Sequence, residues 1–484
     1  MVALYAVTIF ASAALLFLVQ PMFARFVLPL LGGAPAVWNT ALVFFQVVLL
    51  AGYAYAHAST QWLGARRQAA LHLIVLLLPL IVLPIAVPAG WAPPTDTNPA
   101  PWLLALMSVA IGLPFFAVAT TSPLLQKWFA AGPHREAHDP YFLYVASNAG
   151  SLLALLSYPL WIEPRLALAT QSRWWMWGYV ALAVFIAGCA AALWKTKDGA
   201  PAPARARGDA AISPAPTARQ RARWVLLALV PSSLMLGVTT YLSSEIAAVP
   251  LLWVIPLALY LLTFVIAFAR REIFPRPLLV RALPLVVAPL VVALGMQATE
   301  PIGWLMLLHL AVFFLAALLC HGRLAAERPA AAHLTEFYLW LAVGGVLGGA
   351  FNALLAPVVF NSVAEYPLML ALACLVGMGS GGEISQARRS DWWWPIALGG
   401  VTVALVLGVE ATRFRAEAAA SGLVFGGPAL GAFLLSRRPL RFALSVGALL
   451  IAGGFYHGEK GRVLHAERSF FGVHQVVETA DRTH

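Results

Sequence analysis

The chain is expected to be an all-α polytopic membrane protein of about fourteen or fifteen transmembrane helices, in two six-helix halves with extra helices at the C-terminal end. Three observations predict this. Of 484 residues, 61% are hydrophobic and only 11% charged, against about 25% charged in soluble globular domains. Apolar runs of the roughly 20 residues that a spanning helix needs recur from Val2 almost to the C-terminus. Lys and Arg gather in alternate loops between these runs. This composition excludes a soluble enzyme, a disordered scaffold and a nucleic-acid-binding domain. The net charge of +11 therefore reads as basic cytoplasmic loops and not as a nucleic-acid footprint.

The first run, 2–31, has no basic leader and no small-residue cleavage site, so it is expected to remain as a first span. Runs at 36–57, 69–87, 102–119, 141–161 and 174–194 complete a first half, 1–194. Residues 195–223 are rich in Ala, Pro and Arg, with Lys195, Lys197, Arg205, Arg207, Arg219, Arg221 and Arg223 against Asp198 and Asp209. Without an apolar period they are expected to form a disordered cytoplasmic linker. Runs at 224–241, 250–268, 278–296, 303–320, 336–358 and 366–378 make a second half, 224–378. Basic loops at Arg66 and Arg67, Lys127 and Arg135, the linker, Arg270, Arg271 and Arg276, and Arg323 and Arg328 place the N-terminus in the cytoplasm. The loop holding Arg165 and Arg173 is the exception. Within 379–456, runs at 393–409, 423–435 and 442–456 add three spans if all cross, while Gly426, Gly427 and Pro428 would let the middle one re-enter. Both arrangements stay open, and with them the side of the polar tail, 457–484.

The halves are weakly alike. At an offset of 215, Pro35, Trp38, Leu42, Phe45 and Ala54 fall on Pro250, Trp253, Leu257, Tyr260 and Ala269. At an offset of 198, Leu143, Val145, Gly150, Leu156 and Pro159 fall on Leu341, Val343, Gly348, Leu354 and Pro357. Spans match in the same order and direction, the relation of two parallel repeats about an axis along the membrane normal.

Polar groups at bilayer depth are costly, so each is a candidate for substrate contact. Gln20–Pro21 interrupts the first run and Arg25 follows; a broken helix lining a cavity and an Arg25 that snorkels to the interface are both open. Asn39 and Gln46 share one face of the second span, and Tyr144, Asn148 and Ser151 one face of the fifth. Interhelical hydrogen bonding competes with ligand contact as their purpose. Glu336, Trp340, Gly344 and Gly348 follow an i, i+4 stride, a carboxylate and an indole above a flat glycine surface suited to close packing. Glu336 either binds a cation or is solvated at its span's end; Glu245 and Glu365 raise the same question. Trp253 and Tyr260, on one face, suit a cationic ligand or an interfacial belt. The eleven histidines form no close metal pair, and Cys189, Cys320 and Cys374 suggest no disulfide framework. The glycines at 377, 379, 381 and 382 end an apolar run instead of linking a strand to a helix, so no nucleotide cofactor is implied.

Four stretches, LVQPMFARFVLPLLGGAPAVWNTALVFFQ (18–46), YFLYVASNAGSLLALLSYPL (141–160), LGVTTYLSSEIAAVPLLWVIPLALYLLTF (236–264) and LTEFYLWLAVGGVLGGAFNALLAP (334–357), resemble the membrane region of bacterial fused major-facilitator-like/spermidine synthase-like proteins. In that family a soluble aminopropyltransferase-like domain follows the spans, and Arg468-Ser469-Phe470-Phe471-Gly472-Val473 resembles its entry strands. The glycine-rich loop for decarboxylated S-adenosylmethionine is not found before His484. This chain also has Arg323 where the family commonly has an acidic residue, and Glu245 where it has Asp. The resemblance thus implies a non-catalytic, multi-pass module of the bacterial inner membrane. Its expected partners are the lipid bilayer and either a small cationic, polyamine-like solute or an aminopropyltransferase-like domain for which it is the anchor.

Overall fold

The structure, a computed structural model, describes all residues except 133–134, 196–214, 247–251, 270, 380–386, 412–417, 457–461, 471 and 479–484. Of the expected linker, 195–223, residues 196–214 lie outside the described residues, and Lys195 is the last residue of a helix. The helices are α1 (Val2–Leu31), α2 (Pro35–Val75), α3 (Ala100–Ala119), α4 (Thr121–Ala130), α5 (Phe142–Ser157), α6 (Leu168–Lys195), α7 (Ala218–Tyr241) and α8 (Val254–Ala267). They continue with α9 (Arg276–Gly295), α10 (Ile302–Ala326), α11 (Leu334–Ala350), α12 (Glu365–Met378), α13 (Ser390–Ala411), α14 (Ala418–Leu434) and α15 (Pro439–Gly453). A hairpin of β1 (Arg462–Ser469) and β2 (Gly472–Glu478) follows. Apolar runs take this form because hydrocarbon offers the backbone no hydrogen-bond partner outside the helix itself.

Ten helical stretches are long and apolar enough to cross a membrane, and four shorter apolar helices accompany them. One of the ten, covering α2, is two passes. Gly64 takes φ 71° and ψ 164° inside it, and the Tyr55 and His72 rings come within 6.0 Å. In a straight helix those residues would stand about 26 Å apart, so the chain folds back at Gly64, where a left-handed φ costs glycine nothing. With that second limb, the described residues make fifteen apolar helical stretches, an all-α polytopic membrane fold.

Three local expectations change. The break at Gln20–Pro21 does not occur: α1 is one helix through Pro21 and Pro29. Proline removes a donor, but packed neighbours can hold a membrane helix on its path, and α5 lies along α1 with Gly150 directly against the Phe10 backbone. Arg219, Arg221 and Arg223 belong to the first turns of α7, which begins at Ala218. The expected loop around Lys127 is the helix α4, whose Leu124, Leu125, Trp128 and Phe129 are buried.

The contacts divide the chain into two compact units. The first comprises Met1–Leu229, Trp253–Ile273 and Leu324–Ala350. In it α1 packs on α5 and α6, α2 on α11, and α5 on α8. The α11 glycines permit the closest approaches: a Cβ at Gly344 would meet the Val225 carbonyl and Ala228, and one at Gly349 would meet the Gln46 side chain.

The second unit comprises Val230–Leu252, Phe274–Arg323 and Phe351–His484. Its polar contacts fix the direction of each helix. Arg276, at the start of α9, donates to the carbonyls of Met378 (3.1 Å) and Gly379 (2.8 Å) at the end of α12. Asp391, at the start of α13, is paired with Arg438 and, at 2.8 Å, with Arg441, at the start of α15. At the other ends of α9 and α15, Gln297 donates to the Tyr456 carbonyl at 3.3 Å. Arg468 of β1 makes paired bonds of 2.8 and 3.0 Å to Glu365, the first residue of α12. α14 runs unbroken through Gly426, Gly427 and Pro428, with the Phe425 ring against Gly295. α13 and α15 therefore start at the same end of this unit, and the hairpin sits at the end opposite Arg276 and Arg441.

Candidate functional site

The first unit gathers every substrate-contact candidate except Glu245 and Glu365. Trp38, in the first turn of α2, and Trp253, just before α8, stack with ring centroids 3.5 Å apart and planes 21° apart. They are the residues that the 215-residue offset equates. Asn39, the next residue on α2, is buried, and Gln46, two turns on, lies against Gly349 of α11. Tyr260, two turns beyond Trp253, meets Phe264 edge-on at 5.3 Å.

Between these elements lies an aromatic layer centred on Tyr338 of α11. Its ring lies 5.0 Å from Tyr144 of α5, 6.2 Å from Tyr53 of α2 and 6.0 Å from Tyr141. Its hydroxyl donates to Gln126 Oε1 of α4 at 2.9 Å. Tyr144 in turn meets Phe264 and Phe268 edge-on at 5.7 and 5.1 Å. Asn148, beside Tyr144 on α5, gives its amide hydrogen to the Tyr144 carbonyl at 2.8 Å, so that group serves its own helix. Tyr53, Gln126 and Tyr338 escape the sequence reading for a simple reason. The Glu336, Trp340, Gly344 stride follows one side of α11, and Tyr338, two residues from both Glu336 and Trp340, points to the opposite side. A search for aromatic residues on all four packed helices would have found it.

One end of the layer is closed by a polar collar around residues 327–336. Arg221 pairs with Glu336 at 2.7 Å, and His333 Nδ1 stands 3.5 Å from the other oxygen of the same carboxylate. His57 Nδ1 meets Thr335 Oγ1 at 3.0 Å, Lys127 donates to the Ala332 carbonyl at 3.2 Å, and Tyr141 to the Pro329 carbonyl at 2.9 Å. Arg223 pairs with Glu327 at 3.3 Å and Arg328 with Asp139 at 3.2 Å. Glu336 thus already has two basic neighbours in its own unit. Trp340, a turn further on, is half-buried.

The remaining candidates stand apart from this layer. Gln20 is buried on α1, giving one amide hydrogen to the Leu16 carbonyl at 3.4 Å, with Oε1 unpartnered. Arg25 pairs with Glu163 at 3.1 Å, half-exposed. Glu245, in the second unit, occupies the π-helical turn Leu242–Ile246 that ends α7. One turn before it, Tyr241 stacks on His309 at 4.9 Å, and His309 Nδ1 bonds the Tyr366 hydroxyl at 2.7 Å. Glu365 is taken by Arg468, both side chains being buried. Among the described residues no cluster of His, Cys, Asp or Glu suits a metal ion.

Chemically, the layer offers aromatic faces, phenol hydroxyls and amides, with charge confined to the collar. It can hold a solute by cation–π contact or by hydrogen bonds; no nucleophile is paired with a base in it.

No protein-family model matches the chain, and a search of curated proteins finds no match. Among solved structures, the chain is similar to the inward-open xylose transporter XylE from E. coli, at 14% identity over 78% of this chain and 92% of that one, with a TM-score of 0.47. It is likewise similar to the proton:xylose symporter XylE bound to 6-bromo-6-deoxy-D-glucose, at 13% identity, 78% and 94% coverage and a TM-score of 0.48. The human organic anion transporter MFSD10 gives 14% identity, 78% and 97% coverage and a TM-score of 0.43. The solutes in those descriptions belong to those proteins.

Proposed function

We propose that the chain is a major-facilitator-like transporter of two parallel repeats, set in a bacterial inner membrane with its N-terminus in the cytoplasm, and that it moves a small cationic, polyamine-like solute. One observation carries this reading. α2 packs on α11 and α5 on α8, so the second and fifth spans of one repeat meet the fifth and second of the other. A two-fold axis along the membrane normal produces such a reciprocal pairing, and the Trp38–Trp253 stack joins equivalent residues of the repeats. Transporter sites commonly lie between repeats near mid-membrane, and here that region is lined by aromatic rings that attract cations. With the collar of Arg221, Arg223 and Arg328 in the cytoplasm, the positive-inside bias is satisfied.

Reconstituted into liposomes, the chain is expected to take up radiolabelled spermidine saturably. Trp253→Ala is expected to raise the half-saturating concentration about 3- to 30-fold, the equivalent of ~0.7–2 kcal/mol of lost cation–π attraction. Uptake that does not saturate, or a Trp253→Ala variant indistinguishable from wild type, overturns the cationic-solute reading.

A second reading rests on the hairpin. β1 and β2 form a two-stranded sheet with both outer edges unpaired among the described residues, held to α12 through Arg468 and Glu365. Open edges are templates for strand addition, which suits a platform for an aminopropyltransferase-like partner. Co-purification of such a partner, lost in Arg468→Ala while the chain stays monodisperse, would favour the platform. Retention in that variant counts against it.

A further inference from the structure

The added helices α13, α14 and α15 bring a dense group of cations to one end of the second unit. Arg388 and Arg389 lead into α13, Arg437 and Arg438 join α14 to α15, and Arg441 stands in the first turn of α15. One carboxylate draws these segments together. Asp391 Oδ1 accepts from Arg441 Nε at 3.1 Å and Nη2 at 2.8 Å, and Oδ2 accepts from the Arg388 backbone N–H at 2.9 Å and from Arg438 Nη1. Four donors fill the lone pairs of a carboxylate, so Asp391 has nothing left to offer the other guanidiniums. Among the described residues no second carboxylate pairs with this group. Five arginines against one aspartate leave a strongly positive end, with Arg388, Arg389 and Arg437 exposed.

The same end is also apolar on its outside. Trp392, Trp393 and Trp394 follow Asp391 directly and are 49%, 67% and 56% exposed, and Ile396, a turn beyond, is 63% exposed. Leu434, the last residue of α14, is 70% exposed. The backbone N–H groups of Trp392 and Trp393 both donate to the Arg389 carbonyl at 3.1 Å, so Arg389 and the indoles share one helical turn. Trp393 and Ile396, three residues apart, lie on one face of α13. Indoles favour headgroup depth, and the planar fork of a guanidinium matches the oxygens of a phosphate. A soluble anion would engage the guanidiniums and leave the indoles and Ile396 idle. A molecule with a phosphate at one end and hydrocarbon at the other uses both.

We propose that this end of α13–α15 is a binding site for an anionic phospholipid, its phosphodiester held by Arg388, Arg389, Arg437 and Arg438 and an acyl chain laid along Trp393 and Ile396. The positive-inside bias requires only that charge lie near the membrane surface. Here two chain segments are clamped on one buried carboxylate, which fixes the spacing of the guanidiniums and lets them select a headgroup. Each basic side chain near an anionic lipid surface adds about 1 kcal/mol of attraction, so several acting on one headgroup favour it well over a zwitterionic one. The site lies on the added helices of the second unit and does not depend on which solute the first unit handles.

The test is native mass spectrometry of the full chain released from detergent, titrated with phosphatidylglycerol and with phosphatidylcholine of the same acyl chains. Phosphatidylglycerol is expected to bind at least about tenfold more tightly. The triple variant Arg388→Gln, Arg389→Gln, Arg437→Gln, which keeps both ion pairs of Asp391, is expected to bring the two lipids level. Should it not stay monodisperse, Arg389→Gln with Arg437→Gln is expected to remove most of the preference. Arg67→Gln, Arg173→Gln and Arg271→Gln together remove the same charge from exposed positions elsewhere and are expected to leave the preference intact. Trp393→Ala with Ile396→Ala is expected to weaken phosphatidylglycerol binding about 3- to 10-fold, and excess glycerol 3-phosphate is expected not to displace the lipid. Equal binding of the two lipids, or an equal loss in the charge-matched control, overturns the site. Full displacement by glycerol 3-phosphate would make it a site for a soluble phosphate and overturn the lipid as its occupant.

Discussion

Asp391→Ala is expected to lower the unfolding free energy of the C-terminal helices by about 2–4 kcal/mol, among the largest effects of any single substitution in this chain. Asp391 is almost completely buried and holds three donors: the Arg388 backbone N–H at 2.9 Å, the Arg441 guanidinium at 2.8 and 3.1 Å, and Arg438. Removing one partner of a buried ion pair costs ~3–5 kcal/mol because the other charge is left uncompensated. The lower range here reflects the exposure of Arg438 (36%), whose guanidinium can turn to water; Arg441 (18%) has less freedom. Thermal unfolding of the detergent-solubilised chain, in a double-mutant cycle with Arg441→Leu, measures the coupling. A loss below about 1 kcal/mol for Asp391→Ala would mean that the pair is effectively solvated.

Gly150→Ala is expected to cost about 1–3 kcal/mol and Gly150→Leu to prevent stable assembly of α1 with α5. A Cβ at Gly150 would stand 2.5 Å from the Phe10 carbonyl oxygen and 3.2 Å from the Phe10 Cα. Those are backbone atoms in the middle of a helix, so relief requires the two helices to separate and forfeit dispersion contacts along their shared length. Gly345→Ala on α11 is the internal control, since a Cβ there meets nothing within 4 Å. The same unfolding measurement should find Gly345→Ala close to wild type and Gly150→Ala clearly below it. Equal stability of the two variants would show that α1 and α5 have room to adjust.

Much of this architecture is legible in the sequence because the bilayer is an unforgiving solvent. A run such as 2–31 has to be helical in hydrocarbon, and α1 spans those residues. The turn at Gly64 was not legible: a loop containing Arg66 and Arg67 was expected, and both arginines lie in helix immediately after a single left-handed glycine. α4 was missed because Lys127, Pro123 and Gln126 read as loop, whereas burial of Trp128 and Phe129 makes that segment a helix. Which ends of the last three helices lie together is not legible in apolar runs alone. It rests on Arg441 meeting Asp391 and Arg468 meeting Glu365, contacts of residues 50 and 103 positions apart.

The candidate site divides in the same way. Trp38 and Trp253 were singled out by the internal repeat, but only packing brings the two rings face to face. Glu336 stands out in the sequence as a carboxylate near its span's end, and only packing supplies Arg221 and His333 beside it. Tyr338 carries no local signal: a tyrosine in an apolar run has the same appearance whatever it faces. Sequence alone establishes that this chain is a helical membrane protein with many apolar helices, because that follows from the cost of placing polar backbone and charge in hydrocarbon. Which polar groups meet, which are left without partners, and at which end the hairpin is held were decided only by tertiary structure, because they depend on contacts between residues far apart in the chain.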